Sequence, residues 1–229
     1  MTAPPRRNAS AFGSTSEAVP SLTFTVTGAS AEPYAAVPTI AFSLCVAAPI
    51  GRAVRSVLLT TQIRIGVAHR SYMDGEQSRL VELFGTPERW GETLKSLLWT
   101  HCTTVVPPFE NQTTLELLVP CTYDFDVAAA KYLDSLQAGE VPLDFLFSGS
   151  VFYDDELGRL QTARLSWDSE AVFRMPVAVW KALMQHYFPD SAWVRLGRES
   201  FDRLYEFKIA RGFSSWDAAI EELVRGDVP

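Results

Sequence analysis

The 229-residue chain lacks the short motifs that announce chemistry. It has no Gly-x-Ser-x-Gly elbow, no His-Glu-x-x-His, no phosphate-cradling glycine loop and no dinucleotide fingerprint, so the commonest hydrolase, metalloprotease and nucleotide-binding sites have no signature here. It also lacks a long apolar run. The richest stretch, residues 37–50, is broken by Pro, Thr and Ser, well short of the roughly 20 residues that a membrane helix needs. Positive charge is in short supply: the net charge is −7 and the pI about 5.0, which repels polyanions unless basic groups gather on one face. Cysteine is scarce and odd in number. Cys45, Cys102 and Cys121 lie far apart in apolar runs, where a free thiol behaves as a small hydrophobe, and a reducing cytoplasm is expected for them. Residues 1–20 carry no continuous apolar segment of the secretory kind and read as a disordered tail. Without a secretory route, the sequons at Asn8 and Asn111 are expected to have no consequence.

What the chain does have is enough apolar material, 47% of residues with 12% aromatic, for an ordinary core. Between residues 21 and 175 that material recurs with period two, the mark of strands that bury one face. Leu22, Phe24 and Val26 alternate with threonines; Ile40, Phe42, Leu44 and Val46 share a second face; Val57, Leu59, Ile63, Ile65 and Val67 share a third. Further strands are predicted over 99–106, 115–119, 143–153 and 159–167, the last two joined by a turn at 154–158. About seven antiparallel strands with Pro- and Gly-bearing connections predict an α+β chain built on a Greek-key β-sandwich.

Two helical insertions interrupt the strands. The first is predicted over 74–97, broken at Gly85 and resumed at Pro87 with Trp90, Leu94, Leu97 and Leu98 on one face, as a lid over one end of the sandwich. The second is expected to open at Asp126 as its N-cap and to run to about Leu136. From residue 176 the period becomes 3.6. Val177, Trp180, Leu183, Met184 and Tyr187 form one stripe of a helix that ends before Pro189. The predicted organisation is thus a tail, 1–20; a sandwich, 21–175; and a helical segment, 176–229.

The end of that segment reads as a short strand over 193–196, a helix, a turn and a second helix, an order that resembles a ribbon-helix-helix unit. Phe201, Leu204, Tyr205 and Ile209 line the first helix, Gly212 is placed to end it, Ser214 with Asp217 resembles a capping box, and Trp216, Ile220, Leu223 and Val224 line the second. Such units work as intertwined dimers, on DNA or as clasps; the favoured reading here is a plain helical hairpin docked on the sandwich, with a dimer clasp and a DNA reader as the alternatives, and a homodimer is compatible with the pattern. Residues 191–229 carry six basic and seven acidic side chains, a poor footprint for phosphate contacts, and nucleic acid is therefore a disfavoured partner.

Candidate binding residues are few. Asp124 and Asp126, two apart, could project from one strand face as an acid/base pair, although capping of the next helix explains Asp126 and solvation explains Asp124. His101 adjoins Cys102, but neighbours in a strand point to opposite faces and cannot chelate one ion without a bulge, so no metal site and no cofactor is expected. Most aromatics fall on core phases. Trp193, Arg195 and Phe213 stand outside that pattern, at the tail strand and the inter-helix turn, where exposed groups would mark a protein interface.

The strings YAAVPTIAF (34–42), FGTPERWG (84–91), LWTH (98–101), VPCTYDFDV (119–127), PVAVW (176–180) and ARGFSSWD (210–217) make the chain resemble an uncharacterised bacterial family, mostly actinobacterial, associated with [NiFe]-hydrogenase gene clusters. The resemblance implies a setting and supplies no catalytic residues. Together these readings predict a cytoplasmic, non-enzymatic accessory or scaffold protein that binds another protein, such as a hydrogenase subunit or maturation factor. The alternatives are a DNA-binding regulator that reads with its tail, and a small-ligand binder or enzyme with its site at a sandwich end near Asp124, Asp126 and His101.

Overall fold

Alternating apolar residues can bury only one face of a strand, so two sheets must meet. In the computed structural model, which describes residues 21–49, 53–122, 124, 127–192 and 194–226, they do. The described strands are β1 (Thr23–Ala31), β2 (Thr39–Ala47), β3 (Ala53–Ile65), β4 (Leu97–Val106), β5 (Phe109–Glu110), β6 (Gln112–Pro120), β7 (Glu140–Asp154), β8 (Leu160–Arg164) and β9 (Glu170–Pro176). One sheet has the order β1-β2-β6. The other has β4-β3-β7-β8, with β5 paired to β3 and β9 to β7. All pairings are antiparallel. The non-sequential neighbours β2–β6 and β3–β7 are crossovers of the kind the sandwich reading predicts.

The helices are α1 (Asp74–Phe84), α2 (Trp90–Thr93), α3 (Ala128–Ser135), α4 (Val177–Tyr187), α5 (Arg198–Ala210) and α6 (Trp216–Gly226). Several boundaries differ from the sequence expectation. Leu97 and Leu98 open β4 rather than close a helix, because α2 ends at Thr93 and the following residues pair with Ile65 and Arg64 of β3. β5 and β9 lie outside the predicted strands; in β9, Ala171, Phe173 and Met175 alternate between Glu170 and Arg174, too short a pattern to stand out beside the helix that follows. Val127 flanks the start of α3, and the expected cap Asp126 lies outside the described residues. So do residues 1–20.

The inner faces meet through aromatic side chains. Phe42 of β2 sets its ring edge-on to Phe145 of β7, with centroids 5.2 Å apart, and to Trp99 and Phe173 at 6.1 and 6.2 Å. Phe24 of β1 stacks on Phe147 at 4.4 Å. Each such side chain contributes about 1.5–3 kcal/mol through burial. α4 closes the open edge. Its Val177, Trp180 and Leu183 are buried in the same cluster as the strands, and Trp180 packs at 6.5 Å on Trp99. The Tyr187 hydroxyl donates to the carbonyls of Glu32 and Ala35, so the β1–β2 loop is pinned to the end of this helix.

Beside the start of α4, whose Val177 N–H donates to the Gly139 carbonyl, a buried ion pair holds the α1 insertion. The Glu76 carboxylate is fully buried and accepts from Arg70 Nη2 at 2.9 and 3.0 Å, from the Met73 N–H at 3.1 Å and from the Gln137 N–H at 2.8 Å. Arg70 also donates to the carbonyls of Ala138 and Glu140. Beside it the Tyr72 and Tyr132 hydroxyls hydrogen-bond to each other, and burial pushes both phenols above their ordinary range.

The β7–β8 turn is built on Asp155. Its carboxylate accepts from the N–H groups of Leu157 and Arg159 at 2.9 and 2.8 Å, from Arg159 Nε at 2.7 Å and from Gln161 Nε2 at 3.1 Å, while Gly158 takes the positive φ of 73° that closes the turn. These donors, the Arg159 backbone first, hold the Asp155 carboxyl down at about 2. An unfolded Asp titrates near ~3.9, so the anion's stabilisation is fully present above that value and lost as pH falls through about 2. Asp155→Ala is expected to unfold at lower urea than wild type at pH 7, with the gap closing between pH ~4 and ~2; coincident curves at pH 7 would refute this account of the turn.

Candidate functional site: the carboxy-terminal hairpin

Amphipathic helices normally spend their apolar stripe on the core, and α5 and α6 do not. No residue of α5 is buried, and in α6 only Ala219 is. The two helices pack on each other. Gly212, at φ 69°, turns the chain, and the Phe213 N–H donates to the Lys208 carbonyl at 3.0 Å, which closes the end of α5. The cap of α6 is Ser215 and not Ser214: the Ala218 N–H donates to Ser215 Oγ at 3.1 Å. Phe201, Tyr205 and Trp216 form one ring cluster, with centroids 5.5–6.2 Å apart. They nevertheless remain 39%, 47% and 37% exposed, and Ile209, Ile220, Leu223 and Val224 extend the same apolar surface.

The linker from α4 adds to it. Val194 and Leu196, both exposed, wall a groove of ≈580 Å³ whose floor is Phe201, Leu204, Trp216 and Ile220. No strand forms among residues 194–197, so the ribbon of the predicted ribbon-helix-helix unit is not formed there. A strand needs a partner edge for its ladder, and residues 194–197 pair with none.

The predicted site residues scatter. Asp124 and Arg195 line one cavity of ≈520 Å³ with Val37, Pro38, Cys121, Thr122, Phe188 and Val194, where the linker passes the end of the sandwich. The Asp124 N–H donates to Thr122 Oγ1, and its carbonyl accepts from Val127. His101 is elsewhere. It stands exposed on the outer face of the six-stranded sheet, paired across β3 with Gln62, and lines a polar groove with Thr60, Ser148, Arg164 and the fully exposed Trp167. Asp124 and His101 therefore line different cavities and share no site. Phe213 is half-buried in the hairpin turn, its ring 5.8 Å from Phe207. Trp193 and Asp126 lie outside the described residues. Among the described residues, no three His, Cys, Asp or Glu side chains come together to hold a metal ion, and no helix is long and apolar enough to cross a membrane.

With this geometry in hand, comparison with known proteins places the chain. It belongs to the family of unknown function DUF6084. The family profile matches residues 19–228, so it spans the sandwich and the hairpin alike. Among curated proteins none matches. Two solved structures are similar at low level: the CARDB domain of a Pyrococcus furiosus protein in complex with di-metal ions, 14% identical over 69% of this chain and 92% of that one with a TM-score of 0.28, and a β-glucosidase from Kluyveromyces marxianus, 10% identical over 68% of this chain and 15% of that one with a TM-score of 0.24. Neither carries weight for function.

The cysteines are part of the packing. Burial pushes the Cys102 thiol up to about 11 and the Cys121 thiol up to about 12, so at pH 8 roughly one in a thousand or fewer is thiolate. A thiol reagent at pH 8 should modify both quickly in denaturant, and in the native protein it should modify buried Cys121 at a rate set by opening of the fold and half-buried Cys102 faster than Cys121. Mass spectrometry of briefly labelled native chain checks this, and rapid labelling of Cys121 would contradict it.

Proposed function

We propose that this chain is a non-enzymatic accessory or scaffold protein that docks another protein through its carboxy-terminal hairpin. The observation that supports this reading is the apolar surface of Phe201, Tyr205, Ile209, Trp216, Ile220, Leu223 and Val224, which neither the sandwich nor the hairpin itself covers. Large apolar side chains clustered at the surface are what interface cores are made of, with Trp and Tyr the commonest anchors. Each is already partly covered, so completing its burial contributes less than the ~1.5–3 kcal/mol of a fully exposed side chain, and several must act together against the cost of association. The resemblance to proteins associated with [NiFe]-hydrogenase gene clusters directs the reading toward a hydrogenase subunit or maturation factor as the partner, and toward assembly or protection of that enzyme as the role.

Tagged wild-type protein purified from a host that carries the cluster should bring down hydrogenase components, and Tyr205→Asp/Ile220→Asp, checked by circular dichroism for an intact fold, should bring down at least tenfold less. A deletion strain with unchanged hydrogenase activity and subunit levels would remove the hydrogenase role. Equal capture by the variant would remove the hairpin as the docking element.

A further inference from the structure

A tryptophan left in water keeps a large apolar area wet, and Trp167 is 95% exposed. It stands on a formed turn. The Ser169 N–H donates to the Ser166 carbonyl at 3.2 Å, which puts Trp167 and Asp168 at the corner. Both ends of the turn are tied to β7: the Leu165 N–H donates to the Gly149 carbonyl at 3.1 Å, and the Phe147 N–H donates to the Ser169 carbonyl at 2.8 Å. The fold therefore holds this indole beside the outer face of the six-stranded sheet without covering it.

That face is polar where Trp167 meets it. The groove there has a volume of ≈730 Å³, and the strand register sets its side chains in rows, Thr103, Thr60 and Ser148 across β4, β3 and β7, then His101, Gln62 and Leu146. The Thr60 and Thr103 hydroxyls lie 3.4 Å apart. Backbone N–H and C=O groups are spent in the ladders, within the plane of the sheet, so a ligand on this face meets side-chain tips alone. Those tips are hydroxyls, an amide and an imidazole, groups that between them both donate and accept. Arg164 is the one Lys, Arg, Asp or Glu among the described lining residues, and Asp168 and Glu170 line the neighbouring depression that shares it. Leu58 and Val105, exposed on the next row, do not line the groove.

We propose that this groove binds a neutral polysaccharide, with one sugar ring stacked on Trp167 and the hydroxyls of its neighbours bonded to Thr60, Gln62 and Ser148. A sugar ring offers two surfaces at once, a face of C–H bonds and a rim of hydroxyls. The electron-rich face of the indole attracts the polarised C–H bonds, and short uncharged side chains match hydroxyls that also donate and accept. Phosphate-bearing ligands fit less well, because one arginine with two carboxylates close by is a weak anion site. An extended peptide gains its main-chain bonds along a strand edge, which this groove across the face does not offer. The core of a protein interface would surround the tryptophan with apolar groups, where this groove supplies hydroxyls and an amide. The groove shares no lining residue with the hairpin groove, so the two sites stand or fall separately.

The test is electrophoresis of the full chain through native gels cast with glycogen, laminarin or xyloglucan. At least one of the three is expected to retard the wild type. Trp167→Ala should weaken that retardation at least tenfold with an unchanged thermal unfolding curve, Trp167→Phe, which keeps a ring to stack on, should bind more tightly than Trp167→Ala, and Thr60→Ala/Gln62→Ala should bind at least threefold more weakly than wild type. Tyr205→Asp/Ile220→Asp should bind as wild type does. Free migration in all three gels would overturn the proposal, as would retardation that Trp167→Ala leaves unchanged. Binding of ATP or heparin that depends on Trp167, or a dimer that Trp167→Ala dissolves, would put an anion or a second copy on the face and overturn it too.

Discussion

The mutual burial of two sheets, closed at one edge by α4, is the constraint on which the rest of this structure depends. Phe42 sits at its centre, in ring contact with Trp99, Phe145 and Phe173 from three strands of the facing sheet. Trp180 then seals the edge against Trp99. Close-packed interiors tolerate neither voids nor extra volume, so the alternation of these strands fixes their register as well as their faces. Gly149 shows how tight the arrangement is. A Cβ there would lie 1.9 Å from the Leu58 carbonyl oxygen, and with φ at 144° the backbone is one that other residues rarely adopt. The β3–β7 pairing at the middle of the larger sheet needs glycine at that point.

Phe188 still packs against the sandwich core, and Val194 and Arg195 line a cavity with Val37, Pro38 and Cys121, but α5 and α6 bury almost nothing. The hairpin is consequently held to the body by a linker, and its two helices satisfy only each other. A helical pair of this length is marginal alone in water, where most helical stability comes from burial of the amphipathic face. Here part of that face stays wet. The aromatic cluster of Phe201, Tyr205 and Trp216 gives the pair some internal packing, and the capping at Gly212 and Ser215 fixes the turn, so the hairpin presents a formed surface.

The legible part of the fold was the part governed by short-period patterns. The faces of β1, β2, β3 and β7 and the stripe of α4 follow from residue spacing because each contributes one face to a single core. Leu97 and Leu98 misled because two adjacent leucines satisfy a helical stripe and a strand start equally, and the pairing with β3 that decides between them is a long-range contact. The ion pair of Arg70 and Glu76 was invisible for the same reason: a charged pair six residues apart gives no sign of burial until Gln137 and Ala138, in the loop after α3, complete it. The hairpin's helices were legible, while their lack of a berth was not. Amphipathic spacing reports that a face seeks cover without reporting whether the chain itself supplies it.

The displaced ionisations of this chain have structural causes close at hand. Enzymes gather displaced titrating groups in clefts, where burial and neighbouring charge tune them for proton transfer. Here each large displacement has a local structural cause: Asp155 organises a turn, Tyr132 is raised first by burial and then by its neighbour Tyr72, and Cys102 and Cys121 are raised by burial alone. These groups lie in different parts of the fold. Among the described residues, much of the exposed large apolar surface lies instead on α5 and α6. On the proposed docking reading, a closed core with the binding face on a separate hairpin lets the chain bind and release a partner without disturbing its own fold.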